Sequence, residues 1–365
     1  MSKFDRFEKK IAECFEKKNY YEAHQVYRTL YFRLSSRGEW DQLQNLLHTG
    51  VMKLIEVNEP TSAMDLAELY IEVLMRGHIP VSPEVLDKFQ QLFSSLPSLL
   101  EKDAATDGQK VDRRSYFLSQ AVKWSISVSE KRRYKQRGDA RLHRCVANVL
   151  WKEGNYSAAR SHFMMSDDPK DFAKFLVDFQ LKHGHEDEKD LFIVQAVLQL
   201  LCGKQPRTAS ILLQEYCKEH PNINSKPPYN FPLLNFARYV ILAIRSKKIE
   251  IFTRLLEVYD LQRDPSFIRY LDRIGQIYLS VPPPQKQTGF FGSFLKGLVG
   301  AGQSEGNSES ANANEISEDE QFDAETDEEK EETRQLMVTE DAPKSSKPPE
   351  DRVDSLQASD DMELD

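Results

Sequence analysis

Glycine is scarce, with 15 residues in 365, and nowhere has the spacing of a Walker loop or a GxGxxG dinucleotide fingerprint. A GxSxG nucleophile elbow is missing as well, so phosphate cradling and serine-hydrolase chemistry both lack their sequence marks. The four cysteines, Cys14, Cys145, Cys202 and Cys217, are scattered without a CxxC or a histidine at zinc-ligand spacing. They are expected to be reduced thiols packed as small apolar side chains, which argues for a reducing compartment. Long apolar runs are also missing. Leu191 to Leu201 and Tyr239 to Ile244 are too short or too interrupted to span a bilayer, and the first ten residues carry charge rather than an apolar signal segment. The chain is therefore expected in the cytosol, with no cofactor, no metal and no catalytic constellation. The close pair His183 and His185, followed by Glu186 and Asp187, fits a solvated loop between helices better than a metal site.

Charge is unevenly placed. Residues 303–365 hold 22 acidic against 5 basic side chains, which leaves 44 basic against 36 acidic before them. The net charge of −9 thus conceals a mildly basic body and an acidic segment. That segment is rich in Ser and Asn and nearly free of aromatics, the composition of a disordered tail. Alternating β-branched runs are few before Pro282, where nearly every segment has a helical period.

The stretch from Asn19 to Arg33 sets the pattern. Tyr20, Ala23, Tyr27, Leu30 and Leu34 recur at three- and four-residue steps, one face of an amphipathic helix. A small residue between two rings lets a neighbouring helix approach closely while the rings fill the flanks. The device returns at Asn155, with Tyr156, Ala159 and Phe163 in the places of Tyr20, Ala23 and Tyr27. Two occurrences favour an all-α solenoid of stacked antiparallel helix pairs, of tetratricopeptide-like type, over a closed bundle. His24, Gln25, Arg28, Thr29 and Arg33 fall outside the apolar stripe. Arginine there is either solubilising decoration or part of a docking face on a terminal pair.

Further helices are expected at Phe4–Lys17, Trp40–Glu56, Pro60–Leu74, Val85–Leu96, Asp112–Val128, Arg141–Lys152, a short one after Asp168, Glu186–Leu201, Pro206–Glu219, Leu233–Ser246, Ile249–Tyr259 and Pro265–Leu279. The basic run Lys131–Arg137 is expected in a polar connector. Nucleic-acid binding is the sharper use of such a run, but charge runs are more often simply exposed. Prolines 221, 227, 228 and 232 forbid helix and predict an ordered extended loop or a small hairpin. Thr288–Gly300 is apolar but glycine-rich, at about 1 kcal/mol per helical glycine, and is not expected to form a helix alone. The resulting domain scheme is a solenoid over 1–285, an apolar extension over 286–302 and the tail over 303–365.

Four motifs stand in an order that carries a resemblance: Asn19–Leu30, Leu150–Tyr156, Gln195–Gln199 and Tyr270–Gln276, followed by Val281–Pro284 and Lys286–Thr288. From about Asn19 to Gly300 the chain resembles the Golgi-to-ER traffic protein four family, scaffolds of the guided-entry pathway for tail-anchored membrane proteins. The resemblance implies a right-handed superhelix of helix pairs and a scaffold rather than an enzyme. It implies that the N-terminal helices bind the targeting ATPase, with Arg28 as the first contact to examine and Arg33, His24 and Gln25 beside it. It implies that the C-terminal half binds a ubiquitin-like adaptor or a BAG-domain chaperone, with Pro227, Pro228, Tyr229 and Phe231 in the proline-rich break as candidate contacts. Neither nucleic acid nor stable membrane attachment is expected. The competing expectation is an unrelated tetratricopeptide-like adaptor that binds RNA through the Lys131–Arg137 run. Phe290, Phe291, Phe294, Leu295 and Leu298 raise a membrane-surface anchor as a third.

Overall fold

In the computed structural model, residues 3–102, 110–259, 261 and 264–281 are described. The helices are α1 Lys3–Glu16, α2 Tyr20–Ser35, α3 Trp40–Glu56, α4 Pro60–Arg76, α5 Pro83–Ser95, α6 Arg113–Ser127, α7 Arg132–Arg137, α8 Ala140–Lys152, α9 Tyr156–Phe163, α10 Pro169–His183, α11 Leu191–Cys202, α12 Pro206–Glu219, α13 Pro232–Ser246, α14 Ile249–Val258 and α15 Ser266–Leu279. Consecutive helices pair antiparallel, as α1 with α2, α3 with α4, α8 with α9 and α11 with α12. Helices two apart pack side by side, as α2 on α4, α4 on α6, α3 on α5 and α10 on α12. That arrangement is an α-solenoid of stacked pairs. The expected extension at 286–302, with its apolar stretch from Thr288, and the expected tail at 303–365 lie outside the described residues.

The first five helices are joined by one turn used repeatedly. Lys18, Gly38, Asn58 and His78 adopt left-handed backbone with φ of 56°, 70°, 60° and 48°, spaced 20 residues apart. After each, the next backbone N–H reaches back to the preceding helix: Asn19 to Cys14 O (2.8 Å), Glu39 to Leu34 O (3.1 Å), Glu59 to Leu54 O (2.8 Å) and Ile79 to Leu74 O (3.0 Å). Each is a Schellman closure, which satisfies an orphan carbonyl and reverses the chain. The same closure recurs at Gly154, with Asn155 N–H on Leu150 O at 2.9 Å, and at Lys204, with Gln205 on Leu200 O at 2.9 Å.

The Asn–Tyr device works as a cap followed by a packing face. Asn19 accepts from Glu22 N–H and Asn155 from Ala158 N–H, each across three residues. Ala23 and Tyr27 are buried in α2, and Ala159 and Phe163 in α9, as their spacing predicts. The closest approach comes from a residue the pattern did not single out. A Cβ at Gly50 of α3 would lie 2.8 Å from Tyr27 Cε1 and 3.1 Å from Leu66 Cδ1, so α2, α3 and α4 meet where α3 has no side chain. In the second copy, Trp151 Nε1 (2.7 Å) and the Tyr156 hydroxyl (3.2 Å) both donate to Asp178 Oδ2 on α10.

Three features depart from expectation. The Lys131–Arg137 run is not merely a connector: Arg132–Arg137 forms α7, with Arg133 (2.9 Å) and the Tyr134 hydroxyl (2.8 Å) fixed on Asp167. An antiparallel hairpin of β1 Leu100–Lys102 and β2 Lys110–Asp112 precedes α6, with Leu100 opposite Asp112. The helix after Asp168 is not short but spans 15 residues. The proline-rich break contains no strand among its residues, so the extended-loop alternative is the one observed.

Candidate functional site

Two surfaces contain the residues singled out from the sequence. The first is α2 with its neighbours. Tyr20 to Leu34 form the inner stripe, and Val26 and Tyr31 widen it. His24 is not on the outer side as expected. It is buried, because α4 presents Asp65 to it: the two lie 2.8 Å apart, His24 Nε2 to Asp65 Oδ2. Gln25, exposed beside it, approaches His24 Nδ1 from its amide nitrogen at 3.5 Å, which leaves Nε2–H to donate to the carboxylate.

Arg28 sits one turn on, with Nη1 3.2 Å from both oxygens of Asp65. The bond from His24, then the nearby Arg28 charge, hold the Asp65 carboxyl below the usual carboxylate range against the opposing pull of burial. Asp65 belongs to an acidic row on α4 with Glu68 and Glu72, each met by an arginine. Arg113 bonds Glu68 at 2.8 Å, and Arg76 reaches Glu72 at 3.3 Å and the Tyr31 hydroxyl at 3.2 Å. A groove of about 320 Å3 runs between α4 and α6 along this row, with Met75, Tyr116 and Phe117 in its lining. Arg33 is exposed but not idle: its guanidinium lies 4.8 Å from the centre of the Phe7 ring and clasps α1.

Two outer residues were missed. Tyr21 and Phe32 are 74% and 61% exposed, and with Gln25 and Arg28 they follow steps of four, three and four along α2. The same spacing rule that found the inner stripe could have found this outer one.

The second surface is the loop before α13. Pro227 and Pro228, joined by a cis peptide bond, are exposed at its tip. Three asparagines tie it down. Asn224 Nδ2 donates to Lys226 O (2.7 Å) and Pro228 O (2.6 Å), and Asn230 N–H donates to Asn224 Oδ1 at 2.7 Å. Asn235 on α13 bonds both backbone groups of Tyr229 at 2.8 Å. The Tyr229 side chain is buried and its hydroxyl bonds the Cys217 thiol, which burial pushes up to about 12. Phe231 is half-buried against the core. The solvent-facing part of this candidate set is therefore Pro227 and Pro228. Nearby, Tyr239 and Leu242 of α13 and Ile249, Ile251 and Val258 of α14 are exposed apolar side chains.

No cluster of three or more His, Cys, Asp or Glu with metal-binding geometry occurs among the described residues. His183 instead packs its ring 4.7 Å from Tyr156 and 5.6 Å from Phe179. No helix among the described residues is long and apolar enough to cross a membrane.

Comparison with known proteins agrees with the fold and the motifs. The profile of the family described as Golgi to ER traffic protein 4 matches residues 37–299. A Golgi to ER traffic protein 4 homolog of Oryzias latipes is 39% identical over 310 residues, 84% of this chain and 91% of that one. The Homo sapiens homolog is 38% identical over 309 residues, covering 84% and 90%. A crystal structure of C. therm. Get4 superposes with a TM-score of 0.64 at 20% identity, over 82% of this chain and 95% of that one, and supports the shared fold. With its stacked helix pairs, its ordered motifs and relatives that match 84% of it, the chain belongs to the Golgi to ER traffic protein 4 family.

Proposed function

We propose that this protein is a non-enzymatic scaffold that bridges the targeting ATPase for tail-anchored proteins to a ubiquitin-like or BAG-type cochaperone. Membership of a traffic-protein family supplies the pathway. The bridging itself is our reading, and one observation carries it: two exposed surfaces, one on α2 and one on the loop before α13, each held in shape by side-chain hydrogen bonds. A scaffold needs surfaces that keep their shape while waiting for a partner, because ordering them at binding would cost affinity.

The ATPase contact is assigned to the outer side of α2. Arg28 provides the charge, held in place by Asp65, with Gln25 beside it and His24 acting from underneath. Arg33 contributes by fixing α1. The cochaperone contact is assigned to the Pro227–Pro228 tip, with Phe231 and the buried Tyr229 setting its shape. The exposed apolar side chains of α13 and α14 extend this face. A cytosolic site of action accords with such partners.

Native mass spectrometry of the complex captured on the tagged full chain tests the proposal. The expected result is one assembly containing both the ATPase and the cochaperone, with Arg28→Glu losing the ATPase alone. Recovery of neither partner would refute the bridge, and unchanged ATPase capture by Arg28→Glu would remove Arg28 from the contact.

A further inference from the structure

Three of the ordered sequence motifs take no part in either surface, yet the fold gathers them. Arg160 lies one turn beyond Tyr156 on α9. Its Nη2 donates to the side-chain oxygens of Gln195 (3.0 Å) and Gln199 (2.8 Å) on α11. Gln199 in turn donates from Nε2 to the Tyr270 hydroxyl on α15 at 2.8 Å. Residues 160, 199 and 270 thus form one chain of hydrogen bonds across three helices.

The internal repeat shows what is unusual here. Arg160 follows Asn155 by five residues, as His24 follows Asn19, so the two hold the same place in the device. Each reaches the helix two further along, α4 from α2 and α11 from α9. His24 finds a carboxylate there, Asp65. Arg160 finds two neutral amides, and among the described residues it has no ion pair. Asp264, the carboxylate that does reach this cluster, accepts instead from Gln195 Nε2 (3.3 Å) and from Ser266 N–H (2.8 Å). Burial pushes the Arg160 guanidinium below its usual pKa, with only the Tyr270 phenol opposing. A part-buried cation without a counter-charge among the described residues is costly, and this one keeps donors in hand.

The donor inventory defines what would fit. Arg160 commits Nη2, which leaves the N–H groups of Nε and Nη1 without an acceptor among the described residues. The Tyr270 oxygen accepts from Gln199, and its own proton has no acceptor among the described residues. Gln199 spaces these two donors on either side of one amide. A guanidinium edge with a neighbouring hydroxyl is the complement of a planar carboxylate. A single cation set among neutral amides balances one negative charge, whereas a phosphate dianion would leave one uncompensated.

We infer that Arg160 and Tyr270, spaced by Gln199, form a receptor for a single carboxylate, offered by an Asp or Glu side chain of an acidic partner segment. The site is separate from α2 and from the Pro227–Pro228 loop, so it stands or falls independently of the bridging function.

Fluorescence anisotropy on the full chain tests it, with a labelled glutamate-rich octapeptide and its glutamine counterpart as probes at one fixed ionic strength. The glutamate peptide should bind and the glutamine peptide should not. Arg160→Gln should weaken binding about tenfold, the size of one charge-assisted contact, with Tyr270→Phe about threefold weaker and Arg160→Lys intermediate. Lys135→Gln with Arg137→Gln, on α7, should change affinity less than about twofold, since a general charge effect would not depend on Arg160. Should Arg160→Gln fail to fold, Tyr270→Phe decides, because it removes one hydroxyl and keeps the ring. Equal binding of both peptides, no binding of either, wild-type affinity in Tyr270→Phe, or an equal loss in the α7 variant would overturn the inference. Displacement of the peptide by inorganic phosphate at concentrations where acetate has no effect would overturn the carboxylate assignment.

Discussion

The Arg28 guanidinium is held by the Asp65 carboxylate, with Nη1 3.2 Å from each oxygen, while His24 Nε2 lies 2.8 Å from Oδ2 of the same carboxylate. Asp65 therefore does for Arg28 what a rigid backbone cannot: it fixes the tip of a long side chain. The bond engages Nη1, and the other guanidinium nitrogens are the ones available to the proposed ATPase contact.

From this pairing comes a first expectation. Asp65→Asn should cost little stability, since an asparagine oxygen can still accept from the buried His24, and the Arg28 side chain is 39% exposed, where such pairs contribute about 0.2–1 kcal/mol. If the proposed ATPase contact holds, the effect on ATPase capture should be larger, because a freed Arg28 must be ordered again on binding. A double-mutant cycle of Asp65→Asn with Arg28→Gln, read both by urea denaturation and by ATPase affinity, separates the two. Additive affinity losses would mean that Asp65 does not act through Arg28.

Gly50→Ala tests the packing of the first repeats. In an open helix the change would stabilise by about 1 kcal/mol, through helix propensity. Here the new methyl would stand 2.8 Å from Tyr27 Cε1, so the sign should reverse, with a loss of about 1–3 kcal/mol. Chemical denaturation gives the sign directly. Tyr27→Leu in the Gly50→Ala background should recover part of the loss by clearing the ring.

The two capping asparagines should be matched in cost. Asn19→Ala and Asn155→Ala each remove the acceptor for one helix-start N–H, at 3.3 Å in both copies, and each should lose about 1 kcal/mol. Gly154→Ala should lose a similar amount for a different reason. Its φ of 77° disfavours a side chain although nothing lies near the added methyl. Thermal melts of the three single variants provide the comparison, and an unchanged melting point in either asparagine variant would contradict the cap.

Stability should fall on mild acidification. His143 donates from Nε2 to Arg137 O at 2.8 Å, so its Nδ1 accepts from His162 Nδ1–H, also at 2.8 Å. Burial holds both below the ordinary histidine value, with His162 down to about 4, where the neighbouring His143 adds to the effect. His220, bonded to Gln180 Oε1, is lowered by burial and then by Lys189. An unfolded histidine binds its proton near pH 6.5, so between about 4 and 6.5 the unfolded chain holds more protons. The contribution is complete above pH 6.5 and is lost as pH falls, on the order of 2 kcal/mol for His162 by pH 5. Urea midpoints at pH 7.5, 6 and 5 should decline in that order, and His162→Asn should flatten the trend. A flat profile in the parent chain would contradict the buried neutral pair.

Much of the fold was legible because helical burial has a period that side chains reveal. Trp40–Glu56 was bounded correctly from its apolar positions, and the Asn–Tyr device located two caps 136 residues apart. The 20-residue turn was not legible, because Lys18, Gly38, Asn58 and His78 share a backbone conformation and almost no chemistry. A Schellman closure is made by backbone groups, so any residue that tolerates the left-handed region can stand there. The β1–β2 hairpin was hidden for a similar reason: its strands are three residues each, too short to show alternation.

The candidate sites divide in the same way. Periodicity placed Gln25, Arg28 and Arg33 on the outside of α2, and proline density marked the loop at Pro227 and Pro228. What the sequence by itself determined is the solenoid class, the repeat device and the family, since each is carried by local order along the chain. Only the tertiary structure decided that His24 turns inward to Asp65, that Tyr229 is buried beneath its loop, and that Arg160 meets glutamines where His24 meets a carboxylate. Those outcomes depend on which residue the helix two further along presents. The physical reason is that burial follows from a side chain's own helix, whereas pairing belongs to the neighbour.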